Sequence, residues 1–256
     1  MDVLRTELNA VFVRQHLEQE TLPIADVEQA IRDVGVMTAI THACAVITDV
    51  AQDKSWLFPQ WPGNCVGLGD KDAFYEIPSS DEDALYMRMH PEDLVDKRML
   101  ELKFATYTDK LDRTEKLNYK AACRIRVKNT EGAYILMDNT TQLLRLSPKG
   151  RMWLFLCTYS LSRDAEPVVG INARIINERT GEIMPFSFSD SRSTLLSLRE
   201  KEVLRCIQNG MLSKEISQRL HISINTVNRH RQNILRKLSV GNSMEAVNAA
   251  IAMRLL

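Results

Sequence analysis

From residue 195 to the C-terminus the chain can form only short helices, because stop signals recur every ten to fifteen residues and no strand-like alternation intervenes. Ser197-Leu-Arg-Glu200 is a capping box: the serine caps a helix and Glu200, at its third position, reaches back. Val203, Cys206 and Ile207 supply one apolar stripe, and Gly210 ends the helix after Asn209. A second, short helix follows Ser213, with Ile216 and Leu220 one turn apart. His221-Ile-Ser223 leaves room only for a tight turn. Ser223 caps a third helix that runs to about Leu238, and Gly241-Asn-Ser243 opens a fourth, rich in alanine.

The third helix carries the chemistry. Val227, Ile234 and Leu238 share one side at helical spacing and should pack inward. Asn225, Asn228, Arg229, Gln232 and Arg236 fall on the opposite side, which has no acidic residue. Asn and Gln can each bond adenine, and Arg guanine, through two hydrogen bonds in the major groove of DNA. Two helices joined by a tight turn, the second with such a face, make a helix-turn-helix. Charge agrees: residues 195–256 hold ten Lys or Arg against four Glu, net +6, whereas residues 1–194 hold 23 basic and 29 acidic side chains, net −6. A basic end on an acidic body suits a polyanion partner.

These segments resemble the LuxR-type DNA-binding domain. The resemblance rests on Leu196-Ser-Leu-Arg-Glu-Lys-Glu-Val-Leu204, Gly210, Lys214-Glu-Ile216, Leu220, Ile222-Ser223, Thr226-Val-Asn-Arg-His230, Asn233-Ile-Leu-Arg-Lys-Leu238 and Glu245-Ala-Val247. It implies that the third helix enters the major groove, with Asn225, Asn228, Arg229 and Gln232 reading bases. Ser213, Lys214, Ser223, Thr226, Arg231, Arg236 and Lys237 are expected on the DNA backbone, where contacts position without specifying. His230 and Ser217 read as packing residues, and Lys201 and Arg205 as solvated charges. The fourth helix is expected to support a homodimer through Ala246, Val247 and Ala250. One departure is Asn228, where the family usually has lysine; this points to an atypical target sequence.

The remainder reads as a mixed domain. Residues 1–42 form two helices broken at Thr21-Leu-Pro23, the second with Val27, Ile31 and Val34 as its stripe. Ala43–Val50 and Trp56–Phe58 make a hairpin, 70–110 is helical, and strands follow at Lys120–Val127, Ala133–Met137, Thr141–Ser147 and Met152–Ser162. Hairpin, helices and antiparallel meander in that order resemble a PAS sensor domain. His90-Pro-Glu-Asp-Leu94 is similar to the start of its long helix, and Arg124-Ile-Arg-Val-Lys-Asn-Thr-Glu-Gly132 to its late paired strands. A last hairpin, Ile171–Phe186, is expected outside that core. The serine-rich 187–194 reads as a linker. The fold class is therefore α+β: N-terminal helices (1–42), a PAS-like antiparallel sheet domain (43–186), the linker (187–194), and an all-α four-helix LuxR-type domain (195–256).

Other function classes find little support. Five scattered cysteines without a CxxC and five histidines without HExxH suit reduced core thiols rather than a disulfide framework or a metal site. Neither a nucleophile–base pairing nor a phosphate-binding glycine loop is present, so no catalytic residue is assigned and an enzyme is not expected. A sigma-factor-like polymerase subunit lacks its preceding helical region, and a phosphate-accepting receiver lacks its alternating strands and helices. Cys65 lacks the surroundings of the flavin-adduct cysteine of light-sensing PAS relatives, and His90, beside Pro91 and Asp93, suits helix entry rather than haem ligation. Trp56, Phe74, Tyr86, Phe104, Tyr134, Phe155 and Tyr159 read as core, with cavity lining as the alternative. No cofactor is expected, and the ligand of the PAS-like domain is unknown. The charge-free run Val34–Thr48 is too short to span a membrane, and no secretory signal is visible, so a cytoplasmic regulator without membrane contact is expected. Its expected partners are double-stranded DNA, a second copy of itself and RNA polymerase.

Overall fold

The computed structural model describes residues 3–60, 65–68, 74–80, 82–163, 170–186, 196–238, 240–252 and 255–256. The chain divides into two compact units, Leu8–Phe186 and Met1–Glu7 together with Ser187–Leu256. The expected linker, 187–194, lies outside the described residues. Among the described residues, no helix is long and apolar enough to cross a membrane.

Helices α1 (Val3–Val13) and α2 (Ile24–Thr41) open the chain, separated by a 3-10 turn at Leu17–Gln19. Val27, Ala30 and Val34 of α2 are buried at helical spacing, with Ile31 partly buried beside them. They pack on Ala45 and Ile47 of strand β1 (Cys44–Asp49) and on Trp56 and Phe58 of β2 (Lys54–Phe58). Those four side chains share one face of the β1–β2 hairpin, as period-two alternation demands. The alternate set, Cys44, Val46, Ser55 and Leu57, faces the other way and lines a cavity of about 310 Å³.

Residues 70–110 are not helical throughout: a three-residue strand, β3 (Tyr75–Ile77), pairs with β2 before α3 (Asp83–Tyr86) and α4 (Pro91–Asp109). A strand this short leaves no alternation for periodicity to detect. The meander follows as β4 (Tyr119–Lys128), β5 (Tyr134–Leu146) and β6 (Met152–Leu161). The strands expected at Ala133–Met137 and Thr141–Ser147 are one strand, with register shifts at Leu143, Arg145 and Leu146. The last hairpin, β7 (Arg174–Asn177) and β8 (Ile183–Pro185), is not outside the core: β7 pairs with β4, from Tyr119↔Asn177 to Ala122↔Arg174. Among the described residues, eight strands thus form one antiparallel sheet in the order β3-β2-β1-β6-β5-β4-β7-β8. The first hairpin meets the meander at β1–β6, with α3 and α4 inserted in sequence between them, which is the PAS-like arrangement.

The two PAS-like motifs touch. His90 caps α4, its Nδ1 accepting from the Glu92 amide at 3.3 Å, with Pro91 in the first turn. The buried Asp93 carboxylate accepts from the Arg126 amide at 2.7 Å and from its guanidinium at 2.9 and 2.5 Å, while the His90 amide donates to the Arg126 carbonyl at 2.8 Å. The start of α4 is therefore welded to β4. The β4–β5 turn closes where Asn129 Oδ1 accepts from the Glu131 and Ala133 amides and Gly132 takes a φ of +87°, a conformation glycine adopts without strain. Of the seven aromatics, Trp56, Tyr86, Phe104, Phe155 and Tyr159 are buried and Phe74 and Tyr134 exposed; none of them lines the 310 Å³ cavity. Cys44, Cys123, Cys157 and Cys206 are buried, and burial pushes the Cys44 and Cys123 thiols up to about 12, so neither is a thiolate near neutrality.

Candidate nucleic-acid interface

In the C-terminal part of the smaller unit, the described residues form four helices, α5 (Leu198–Gln208), α6 (Ser213–Leu220), α7 (Ile224–Leu238) and α8 (Ser243–Ala252). The capping box forms as expected: Ser197 Oγ accepts from the Glu200 amide at 3.2 Å and Glu200 Oε2 from the Ser197 amide at 2.8 Å. Such a cap is worth about 1 kcal/mol. The α6–α7 turn places His221 at a φ of +53°, and Ser217 Oγ donates to the Ile222 carbonyl at 2.6 Å. Ser217 therefore fastens the turn, beyond the packing role read from the sequence. Ser223 caps α7, its Oγ accepting from the Thr226 amide at 3.1 Å and lying 2.8 Å from Thr226 Oγ1.

Packing fixes which way α7 faces. Val227, Ile234 and Leu238 are buried against Leu196, Val203 and Leu204 of the α5 region and Ile216 of α6. Asn225, Asn228, Arg229, Gln232 and Arg236 are all exposed, on the side away from that core. The four glutamates are occupied elsewhere: Glu200, Glu215 and Glu245 accept from backbone amides at helix starts, and Glu202 pairs with Arg199 at 2.6 Å. Carboxylates there complement the helix dipoles and leave the α7 face without a negative group. An exposed apolar residue joins that face at its N-terminal end. Ile224, 44% exposed, lies one turn before Asn228. Only its place at the first helical position, before the polar stripe, could have flagged it in the sequence.

Several expected site residues have other partners. Arg231 donates to Ser213 Oγ at 3.1 Å and to Ser243 Oγ at 2.8 Å, tying the starts of α6 and α8 to α7. Lys237 donates to Glu200 Oε2 at 2.7 Å. Burial alone would raise the Glu200 carboxyl, but Lys237 and the Ser197 amide and hydroxyl outweigh it and hold it below the usual range. Arg231, Ser213 and Lys237 thus hold the unit together, and each is half-exposed. Lys214 and Arg236 stay exposed, Arg236 within 3.1 Å of Asn233 Oδ1. The expected dimer residues are not at the surface. Ala246, Val247 and Ala250 lie in the unit's own core at 1%, 6% and 0% exposure, because α8 has to cover α5 and α7. The outer side of α8 carries Met244, Asn248 and Ile251 instead. His230 is half-buried, and its Nδ1 is buried with no protein partner among the described residues.

Residues 194–250 match the family described as bacterial regulatory proteins, luxR family. The transcriptional activator protein CarR of Pectobacterium carotovorum subsp. carotovorum is 46% identical over 66 residues, 26% of this chain and 27% of that one. The CsgBAC operon transcriptional regulatory protein of Escherichia coli (strain K12) is 38% identical over 65 residues, 25% of this chain and 30% of that one. The chain spans less than a third of the length of these relatives. Among solved structures, a phage VqmA in complex with DPO is similar at 16% identity, over 89% of this chain and 91% of that one, with a TM-score of 0.29. The similarity to the luxR family of bacterial regulatory proteins is thus confined to residues 194–250, the segment that carries the four helices.

Proposed function

We propose that the chain is a cytoplasmic, sequence-specific DNA-binding transcription regulator. The observation that carries this reading is the α7 face, where Asn225, Asn228, Arg229 and Gln232 are exposed together and no carboxylate stands among them. Arg229 is suited to guanine and Asn225, Asn228 and Gln232 to adenine; Ile224 adds an apolar contact of the kind that thymine methyl groups accept. Lys214 and Arg236 lie on phosphate, while Ser223 and Thr226 offer hydroxyls to it at the start of α7. Two copies associate through the outer side of α8, by Met244, Asn248 and Ile251, and set their α7 helices in major grooves about one helical turn apart. At a promoter such a dimer would have RNA polymerase as a further partner.

The PAS-like unit is the sensor of this reading, and the 310 Å³ cavity is its ligand site, at the small end of the range for such pockets. The segments 1–42, 43–186, 187–194 and 195–256 serve as entry helices, sensor, linker and reader. Sequencing the genomic fragments retained by the purified full chain tests the central claim. A shared motif with two related half-sites is the expected result. Retention without any sequence preference would remove the specific-reader function.

A further inference from the structure

The cavity on the sheet face opposite α2 is walled by Cys44 and Val46 of β1, Ser55 and Leu57 of β2, Ile77 of β3 and Leu85 of α3. Glu82, just before α3, also lines it, and is 6% exposed. Among the described lining residues the charged ones are Glu82 and its exposed neighbour Asp83, both acidic. The remainder are aliphatic, thiol, thioether or hydroxyl residues, so a molecule entering the cavity meets largely apolar walls with Glu82 at its side.

The cation nearest in chemistry, Lys97, is committed elsewhere. Fully buried on α4, its Nζ donates to Glu101 Oε1 and to Tyr86 Oη, the latter at 3.2 Å, and lies 4.8 Å from the centre of the Tyr86 ring. The carboxyl of Glu82 accepts a hydrogen bond from Tyr159 Oη and has no salt-bridge partner among the described residues. Burial pushes its acidity down, raising its pKa, with the Lys97 charge opposing and the Glu101 charge adding to that shift. Lys97 offsets only part of the cost of burial, since the Glu82 pKa stays raised, so a ligand that brings its own positive charge would stabilise the carboxylate further.

Resting on the sensor reading above, we infer that the cavity binds a small apolar amine, its cationic nitrogen on Glu82 and its hydrocarbon body against Val46, Leu57, Ile77 and Leu85. Anions are repelled by both carboxylates, and a neutral isostere loses the charge-assisted contact.

Isothermal titration of the full chain with 2-phenylethylamine, 2-phenylethanol and phenylacetate tests this, since the three share an aromatic body. The amine should bind at least tenfold tighter than the alcohol, and phenylacetate should not bind. In Glu82→Gln, which keeps an acceptor for Tyr159, the amine should fall to the level of the alcohol, while Asp83→Asn should change its affinity less than threefold. Equal binding of amine and alcohol to the wild type, tighter binding of phenylacetate, or no binding by any of the three overturns the amine site whether or not the variants fold. DNA affinity measured with and without saturating amine separates the two claims. The expected binding order with unchanged DNA affinity leaves the amine site standing and removes the sensor reading. A DNA response to the alcohol equal to that with the amine does the reverse.

Discussion

Lys237→Met separates a structural lysine from a DNA-contacting one. The Lys237–Glu200 contact is 2.7 Å long, with the glutamate side chain 4% exposed and the lysine 37% exposed. A hydrogen bond to a charged group contributes about 1.5–3 kcal/mol net; with the lysine a third open to water, about 1.5 kcal/mol is the reasonable figure. Methionine keeps the aliphatic stem and removes the charge, leaving Glu200 with the Ser197 cap alone. Hydrogen exchange of the α5 and α7 amides in the full chain reads this local free energy, and protection should fall about tenfold. The contribution also has a pH signature. Because the Glu200 pKa is lowered on folding, the pair is fully stabilising above the unfolded carboxylate pKa of about 4.3 and is lost as pH falls through the folded value. Wild-type protection of α5 should therefore drop below about pH 4 and approach that of Lys237→Met. Titrating DNA affinity against salt completes the assay: a lysine tied to Glu200 leaves the slope unchanged. A slope reduced by about one, with amide protection intact, would show that Lys237 leaves Glu200 for a phosphate and that the structural assignment is wrong.

Four further outcomes follow from the same geometry. Arg229→Ala and Gln232→Ala should each weaken the preferred site by about 1–3 kcal/mol and relax specificity in a binding-site selection, and an unchanged selected motif would remove that residue as a reader. Arg236→Ala should weaken all duplexes alike and lower the salt slope by about 0.9, so a sequence-dependent loss would contradict its phosphate role. Ile251→Glu should abolish dimers in sedimentation and weaken a paired site while sparing a half-site, whereas an unchanged dimer would move the interface off α8. Lys97→Met should destabilise the larger unit by about 3–5 kcal/mol by stranding Glu101, and Lys97→Met/Glu101→Met should recover most of that in denaturant titrations; additive losses would deny the coupling.

The parts of this chain that were legible in the sequence are those whose cause is local. Ser197 and Glu200 sit three residues apart and need nothing beyond their own helix turn to make a capping box, and the inward set Val227, Ile234, Leu238 follows from helical period alone. Period also puts Asn225, Asn228, Arg229 and Gln232 on the side opposite that inward set, and a wholly polar stripe on a surface helix faces outward. Direction was not enough for the partners. Ser213, Ser243 and Arg231 lie on three different helices, and Lys237 is 37 residues from Glu200, so neither contact leaves a spacing to recognise. The alanines of α8 have partners that are equally remote in sequence. Small residues suit a close helix approach, but the approach is to α5 and α7 of the same unit rather than to a twin.

The larger unit repeats this division and adds a consequence for function. Alternation along 120–127 marks β4 from its own residues, whereas β3, three residues long, and the β4–β7 pairing depend on where distant chain segments come to rest. Glu82 lies in the stretch between β3 and α4, where no periodicity reports on it. Neither Tyr159, 77 residues away, nor the orientation of the alternate hairpin set toward a cavity could be inferred from its neighbours. A carboxyl there is costly in isolation, and a chain selected for stability alone would do better with an apolar or amide side chain in its place. Its position beside a cavity makes sense if the cost is offset when something with a positive charge arrives. The same residue that weakens the empty unit then supplies the affinity difference between empty and filled states. A ligand can shift a conformational equilibrium only by such a difference. By linkage, whatever factor the amine adds to DNA affinity must be returned by DNA to the affinity for the amine, typically about 1–3 kcal/mol.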